Sequence, residues 1–268
     1  MPEKIIAFIK KDFLNEASYK LPFLLNFIAV FANILIYFFI DLLFGKKITP
    51  HLEAFGVHYF AYVLLGTAFF SYAGVGLGSF ASRIQREQVE GTLESILSTP
   101  TKISTILSAI GLWNLIAATF DLIIYILLAI FVFKIDFSHV NPVSTLIILL
   151  LTITSFSGLG ILSASFIIVL KRGNPIGWLV GATEGLLGGV YFPITVFPAW
   201  LQFLAGCLPI TYAIQAIQLS VYKGYGVAAL AKEITFLLLF SVILIPLGMT
   251  TFACALKKTK LQGTLGQY

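Results

Sequence analysis

The longest charged stretch between apolar segments of this chain runs from residue 83 to residue 102. Its apolar residues recur at spacings of three and four, which predicts a short amphipathic helix over residues 87–99 that Pro100 ends. The apolar face comprises Val89, Leu93, Ile96 and Leu97, and the other face carries Glu87, Glu90 and Glu94. The apolar face can fill a groove on another protein while the carboxylates meet basic groups on its rim. A helix lying flat on lipid is the alternative, which three carboxylates beside an anionic leaflet disfavour.

Two further sets of polar residues lie at helical spacing within strongly apolar segments. One set comprises Asn114, Ala118, Asp121 and Tyr125, and the other comprises Asn26, Asn33, Tyr37 and Asp41. A carboxylate in the centre of a membrane span costs about 2.5–3.5 kcal/mol on insertion scales, so Asp121 requires a structural or functional reason. The two sets predict either a hydrogen-bonded contact that holds two helices together or the lining of a substrate path. Asp41 lies near the end of its segment, so we interpret it as interfacial.

Glu184 lies in another apolar segment, among glycines that repeat every four residues from Gly173 to Gly189. Glycines at this spacing let a second backbone approach closely. The partner would be either another helix of the same subunit, or the first span or a second copy of the chain. In the second case, Glu184 would line a central path.

Three aromatic residues flank a nearby proline-rich segment and could form an outer gate: Tyr191, Phe192 and Phe197. No nucleophile is paired with a base along the chain, and the three histidines are isolated from one another. The sequence therefore indicates neither hydrolytic chemistry nor a metal site.

The elements that must position these residues are membrane-spanning helices. The 268-residue chain is 59% hydrophobic and 11% charged, whereas soluble domains are about 45–50% apolar and 25% charged. Its mean hydropathy is +0.97. We therefore expect an all-α polytopic membrane protein, a single transmembrane domain over residues 1–268 with six spans. The spans are 21–44, 57–81, 103–133, 143–170, 176–191 and 230–256. The net charge of +5 is spread along the chain and indicates membrane orientation rather than nucleic-acid binding.

Two more elements complete the predicted layout. Residues 3–20 are expected to form an amphipathic helix on the membrane surface. Residues 192–225 are broken by prolines into two short helices, 199–207 and 211–221, that are expected to dip into the membrane and return. Of the 17 Lys and Arg residues, 12 fall in residues 1–20, 82–102, 171–174 and 257–268. This excess predicts that both termini and the charged stretch are cytoplasmic.

Two motifs resemble the ABC-2 type transporter permeases. The run EGTLE at 90–94, followed by LSTP at 97–100, is similar to the first cytoplasmic loop of that family. The runs GVYFP at 189–193, FPAWL at 197–201 and LPITYA at 208–213 are similar to the family's signature before the last span. Together with the six-span layout, the resemblance covers essentially the whole chain. It implies the transmembrane subunit of a type V-like ABC exporter.

The resemblance implies a half-transporter that pairs with itself, or with a close relative, and with two copies of a separate ATPase subunit. ATP and magnesium would bind to that subunit, since this chain has no G-x-x-x-x-G-K-[ST] phosphate loop. The chain itself would then bind no cofactor and would not be an enzyme alone. The helix after the second span would be the coupling helix that docks into the ATPase, and the N-terminal helix would belong to the same interface. The expected coupling residues are Glu87, Glu90, Gly91, Thr92, Leu93, Glu94 and Leu97.

The substrate is the least determined of these expectations. The candidate substrate-path residues are Asn33, Tyr37, Asp121, Glu184, Tyr191, Phe192 and Phe197. Polysaccharide exporters of the family tend to carry a Leu-Gly-x-Leu-Trp run before the first span, whereas EASYKLPFLLNF at 16–27 contains no Trp. We therefore expect export of an amphiphilic drug or lipid across the cytoplasmic membrane. The alternatives are a polysaccharide or glycolipid exporter and a secondary transporter driven by ions through Asp121 and Glu184.

Overall fold

The computed structural model describes residue 10 and residues 20–92, 96, 103–170 and 174–261. All regular structure within these ranges is helical, which confirms the all-α prediction. The α-helices are α1 (Lys20–Ile48), α2 (Tyr59–Val89), α3 (Ile103–Phe131), α4 (Pro142–Leu170), α5 (Pro175–Leu187), α6 (Ala199–Gly206), α7 (Pro209–Tyr222) and α8 (Ala231–Leu261). Short 3-10 helices at Thr49–Leu52 and Ile194–Val196 precede α2 and α6. The surface helix predicted over residues 3–20 lies almost wholly outside the described residues.

Five of the described helices are long and apolar enough to span a membrane: α1 through Phe27–Gly45, and α2, α3, α4 and α8 over their full lengths. Their positions correspond to five of the six predicted spans. The bent pair of α6 and α7, whose axes meet at 91°, would add a sixth if it is counted as one span. The chain is therefore an integral membrane protein with five to six candidate spans.

The predicted fifth span, residues 176–191, contains a shorter helix than the sequence suggests. Helix α5 has 13 residues, which is about 20 Å at 1.5 Å per residue, against about 30 Å of hydrocarbon. It ends at Leu187, and the backbone turns at Gly189, whose φ is +79°. Glycine reaches this left-handed region without a steric penalty. The prediction of a helix to residue 191 is wrong because the apolar run continues through the turn and conceals it.

Helix α5 and the turn that follows it run along α2. A Cβ added to Gly185 would lie 3.2 Å from the ring of Phe70. Further along the chain, a Cβ added to Gly66 would lie 2.5 Å from the carbonyl oxygen of Val190. From residue 185 to residue 190, the contacted position on α2 shifts from Phe70 back to Gly66. Helix α5 therefore runs antiparallel to α2. Gly66 allows the non-helical backbone to approach α2 more closely than any side chain would permit.

Helix α7 occupies the interior of the bundle, with 11 of its 14 residues buried. Its side chains bind the first turn of α2, since Gln218 Nε2 donates to the Tyr62 carbonyl at 2.8 Å and the Tyr222 hydroxyl donates to the Ala61 carbonyl at 2.7 Å. The Tyr62 hydroxyl in turn donates to the Gly189 carbonyl at 2.6 Å. Broken backbone at membrane depth requires such cover by protein. The two short helices predicted between residues 199 and 221 are present, while their re-entrant passage through the membrane stays a prediction.

Helices α4 and α8 pack closely through hydroxyl groups and glycines. The hydroxyl oxygens of Ser155 and Ser241 are 2.7 Å apart. A Cβ added to Gly248 would lie 2.8 Å from the carbonyl oxygen of Gly158. Small residues permit this approach of two backbones inside a membrane. Pro246 lies inside α8 between these two contacts.

Candidate functional site

The charged stretch begins inside α2 rather than after it. The sequence predicts an end near residue 81, but α2 continues to Val89. The cause is burial that continues at helical spacing, because Ala81, Ile84 and Gln88 all lie on the inner face. The predicted amphipathic helix over residues 87–99 is therefore wrong at its start, since residues 87–89 form the last turn of α2.

Gly91 ends α2. The Glu90 N–H still donates to the Arg86 carbonyl at 2.9 Å, and the Gly91 N–H donates to the Gln88 carbonyl at 3.1 Å. The φ of Gly91 is +70°, and a left-handed glycine just past the last turn is a common helix terminator. Glu90 and Gly91 are exposed. These two predicted coupling residues therefore form an accessible tip at the end of α2.

Glu87 does not face outward as the sequence suggests. It is 4% exposed, and its Oε1 lies 3.1 Å from Arg83 Nε one turn earlier in α2. Its Oε2 accepts a hydrogen bond from the Thr92 hydroxyl, and its backbone carbonyl accepts from the Thr92 N–H at 2.9 Å. The prediction that Glu87 meets basic groups of another protein is wrong for this conformation, because its carboxylate is buried among groups of its own chain.

The apolar stripe predicted for the same segment is divided. Ile96 is half-buried and packs against a cluster of this chain that includes Phe80, Ile84 and Ile106. Val89 is exposed at the end of α2. Ile96 therefore anchors the segment to the bundle instead of filling a groove on a partner. Three predicted coupling residues lie outside the described residues: Leu93, Glu94 and Leu97.

The polar set on α3 lies on its inner face. Asn114, Ala118 and Tyr125 are buried, and Asp121 is half-buried beside Tyr125. The Tyr125 hydroxyl interacts with Ser71 of α2. This polar face therefore packs against α2.

The polar set on α1 has a more open position. Asn33 is exposed, and Tyr37 is half-buried, as is Asp41. Tyr37 packs against the hydrophobic cluster of which Tyr125 of α3 is a buried member. The two predicted polar sets are therefore both adjacent to this cluster, whereas Asn33 is exposed. The side chain of Asn26 lies outside the described residues.

Glu184 is enclosed within the subunit. It is 1% exposed, and neither carboxylate oxygen has a hydrogen-bond partner within the described part of the chain. On the same side of α5, a Cβ added to Gly181 would lie 3.8 Å from Leu77 of α2. The glycine face therefore packs on α2, which confirms the alternative that its partner is another helix of the same subunit. An unpaired carboxyl group in such a place is costly, which marks Glu184 as a candidate functional residue.

Two of the three predicted gate residues come together at the other end of α2. The rings of Tyr37 and Tyr191 stack at 5.8 Å between centroids, and Phe192 meets Tyr191 edge-on at 6.5 Å. Phe192 is exposed and Phe197 is half-buried. Among the described residues, Phe197 makes no ring contact with the other two. The first span thus contacts the turn after α5 through the aromatic stack of Tyr37 and Tyr191.

Sequence reasoning missed the functional interest of two residues. These are Gln218, with its buried amide, and Tyr62, whose hydroxyl donates to the Gly189 carbonyl. A signal existed for Gln218, because a neutral amide in an apolar run of a membrane protein requires hydrogen-bond partners. No local pattern could indicate that Tyr62 bonds a backbone carbonyl 127 residues away.

The family described as ABC-2 type transporter matches the chain over residues 3–222. No curated protein matches the chain. The matched range includes the exposed tip at residues 90–91, all of α2 to α7, and both of the motifs that carry the resemblance.

Proposed function

Because the chain belongs to the ABC-2 type transporter family, we propose that this membrane permease is the transmembrane subunit of an ATP-driven exporter. A separate ATPase subunit powers it and binds the ATP and magnesium. The observation that carries the proposal is the exposed tip formed by Glu90 and Gly91 at the end of α2. A helix terminus that projects an acidic residue offers a contact for basic groups on a soluble partner.

The structure supports a route by which that contact could move the transport pathway. Helix α2 has 31 residues, or about 46 Å at 1.5 Å per residue. At the opposite end of α2, the Tyr62 hydroxyl donates a hydrogen bond to the turn after α5. The backbone carbonyls of Tyr62 and Ala61 accept hydrogen bonds from side chains of α7. A displacement applied at residue 90 thus reaches the aromatic residues at the opposite end through one continuous helix. In our proposal, closure of the ATPases supplies that displacement.

The orientation follows from the distribution of charge. The excess of Lys and Arg favours cytoplasmic termini and a cytoplasmic tip, in the inner membrane of the cell. Helix α1 presents an almost continuous exposed apolar surface, which suits lipid or a second copy of the chain. We propose a complex of two permeases and two ATPases, and mass measurement of the purified complex tests this stoichiometry.

The proposed substrate is an amphiphilic drug or lipid. Its support is the absence of a Trp-containing run before α1 and the mostly apolar surroundings of the candidate path. Transport into vesicles that contain the permease and its ATPase, measured against lipids, cationic drugs and a glycolipid, tests the class. Uptake of a glycolipid alone would replace this proposal with the polysaccharide or glycolipid alternative.

The test of coupling is the double substitution Glu90→Lys with Glu94→Lys. Like charges placed against a basic rim cost several kcal/mol, so we expect transport per ATP hydrolysed to fall about tenfold or more. The control is Glu53→Lys, which makes the same kind of charge change at an exposed residue beyond the other end of α2. Parent-like coupling in the double variant would overturn the docking proposal and favour an ion-driven transporter.

The test of the path is Glu184→Gln, which keeps the size of the side chain and removes its charge and its proton. We expect altered transport with unchanged binding of the ATPase, because Gly181 and Gly185 on either side of Glu184 lie against Leu77 and Phe70, several turns of α2 away from the tip. Glu184 is buried, and its carboxylate has no hydrogen-bond partner in the described structure. The matched control is Glu233→Gln, another buried glutamate, at the start of α8. If Glu184→Gln transports like the parent, Glu184 has at most a structural role.

A further inference from the structure

Thr92 makes backbone and side-chain hydrogen bonds that link α2 to the segment after Gly91. Its N–H donates to the Glu87 carbonyl at 2.9 Å, and its hydroxyl donates to the Glu87 carboxylate. Its own carbonyl accepts from the Ile96 N–H at 3.1 Å. Thr92 is thus bound both to the last turn of α2 and to Ile96.

Glu87, to which Thr92 is bound, is itself fixed in place. The salt bridge of its Oε1 to Arg83 is formed at a carboxylate that is almost fully buried. Charge-assisted hydrogen bonds of this kind are roughly twice as strong as neutral ones. Arg83 and Glu87 lie one turn apart on α2, so the carboxylate is held by the helix to which it belongs.

A second anchor lies beyond the tip. Ile96 packs against Phe80, Ile84 and Ile106, which join α2 to α3. The chain that follows the exposed residues Glu90 and Gly91 is therefore attached at two points, at Thr92 through hydrogen bonds and at Ile96 through apolar packing. A loop anchored in this way cannot move independently of α2 without breaking one of the two contacts.

We propose that Thr92 is a positioning residue that locks the tip to α2, so that a force on the tip displaces α2 as a rigid body. Its hydroxyl does this by binding Glu87, which is in turn bound to Arg83. This inference rests on the proposed function, because the force on the tip would come from the ATPase subunit. The lock itself is a property of the chain alone and can be measured without the ATPase.

The test compares Thr92→Val with Thr92→Ser in the full-length permease. Valine has the shape of threonine without the hydroxyl, whereas serine keeps the hydroxyl and loses the methyl group. Hydrogen exchange of the purified permease reports on the lock. We expect amides between residues 90 and 96 to exchange about tenfold faster in Thr92→Val, from the loss of one hydrogen bond to a charged group. Thr92→Ser should exchange like the parent.

Transport per ATP in vesicles with the partner ATPase reports on the consequence. We expect transport per ATP hydrolysed to fall about tenfold in Thr92→Val and to be restored in Thr92→Ser. Unchanged exchange in Thr92→Val would overturn the lock. If the amides of Thr92→Val exchange faster while its transport per ATP equals that of the parent, the Thr92 hydrogen bond does not transmit force, and that part of the proposal is overturned. If the parent itself binds no ATPase, the proposed function fails and so does the coupling role, while the exchange comparison still decides whether Thr92 locks the tip.

Discussion

Helices α1 and α2 follow each other in the chain and both could span a membrane, yet their surroundings are opposite. In the candidate span of α1, 6% of the residues are buried, against 67% in α2. Helix α1 is the more apolar of the two, and α2 contains more glycine, serine and tyrosine. Inside a membrane, burial follows close backbone approach and hydrogen bonding rather than hydrophobicity. The more apolar of these two helices therefore faces outward, and the more polar one forms the centre of the bundle.

The largest expected effect tests this contrast within α1 itself. Ile34 is 1% exposed and Ile36 is 57% exposed, two residues apart on the same helix. Ile34→Ala should destabilise the fold by about 2–5 kcal/mol, because it leaves a cavity. Ile36→Ala should change stability by less than about 0.5 kcal/mol. Thermal unfolding of the purified permease measures both, and equal losses would show that α1 is packed on both sides.

A smaller effect is expected at the glycines of α2. Gly66→Leu places atoms against the Val190 carbonyl and should cost about 1–3 kcal/mol through overpacking. Gly74→Leu is the matched control, since a Cβ at Gly74 meets no atom within 4 Å in the described structure. Thermal unfolding of the purified permease measures the loss of stability in both variants. A large loss in Gly74→Leu would show that α2 is covered by a second copy on its open side and would weaken the contrast with α1.

The smallest expected effect concerns one hydrogen bond of α2. Tyr62→Phe removes the donor to the Gly189 carbonyl and leaves that carbonyl buried without it, which should cost about 1–2 kcal/mol. Tyr225→Phe, at an exposed tyrosine after α7, should have little effect. Hydrogen exchange at residues 188–193 should rise in Tyr62→Phe alone. No change there would mean that packing at Gly66, rather than this bond, holds the turn after α5.

Much of the fold was predictable because apolar length and proline position are local signals. The five long helices and the two short ones between residues 199 and 222 lie where hydropathy and proline place them. The end of α2 was not predictable from charge, because Glu87 and Gln88 continue the buried face of the helix despite being polar. The end of α5 was not predictable from hydropathy, because residues 188–192 are apolar but not helical.

The site was predictable in composition but not in arrangement. The motif drew attention to the right segment, but the prediction placed Gly91 inside a helix over residues 87–99, whereas its left-handed backbone ends α2. The inward direction of Glu87 and Ile96 depends on contacts with Arg83 and with Phe80, whose proximity only the folded bundle creates. Glu184 shows the same limit: its glycines predict close packing, but which helix they pack against is a property of the whole bundle.

Pro246 gives α8 an uneven stiffness. A proline cannot donate a backbone hydrogen bond, so the Val242 carbonyl one turn earlier lacks its helical donor, and bending the helix there costs less than elsewhere. On one side of that point Ser241 is bound to Ser155, and on the other Gly248 lies against Gly158. The two halves of α8 can therefore tilt relative to each other while each stays in contact with α4.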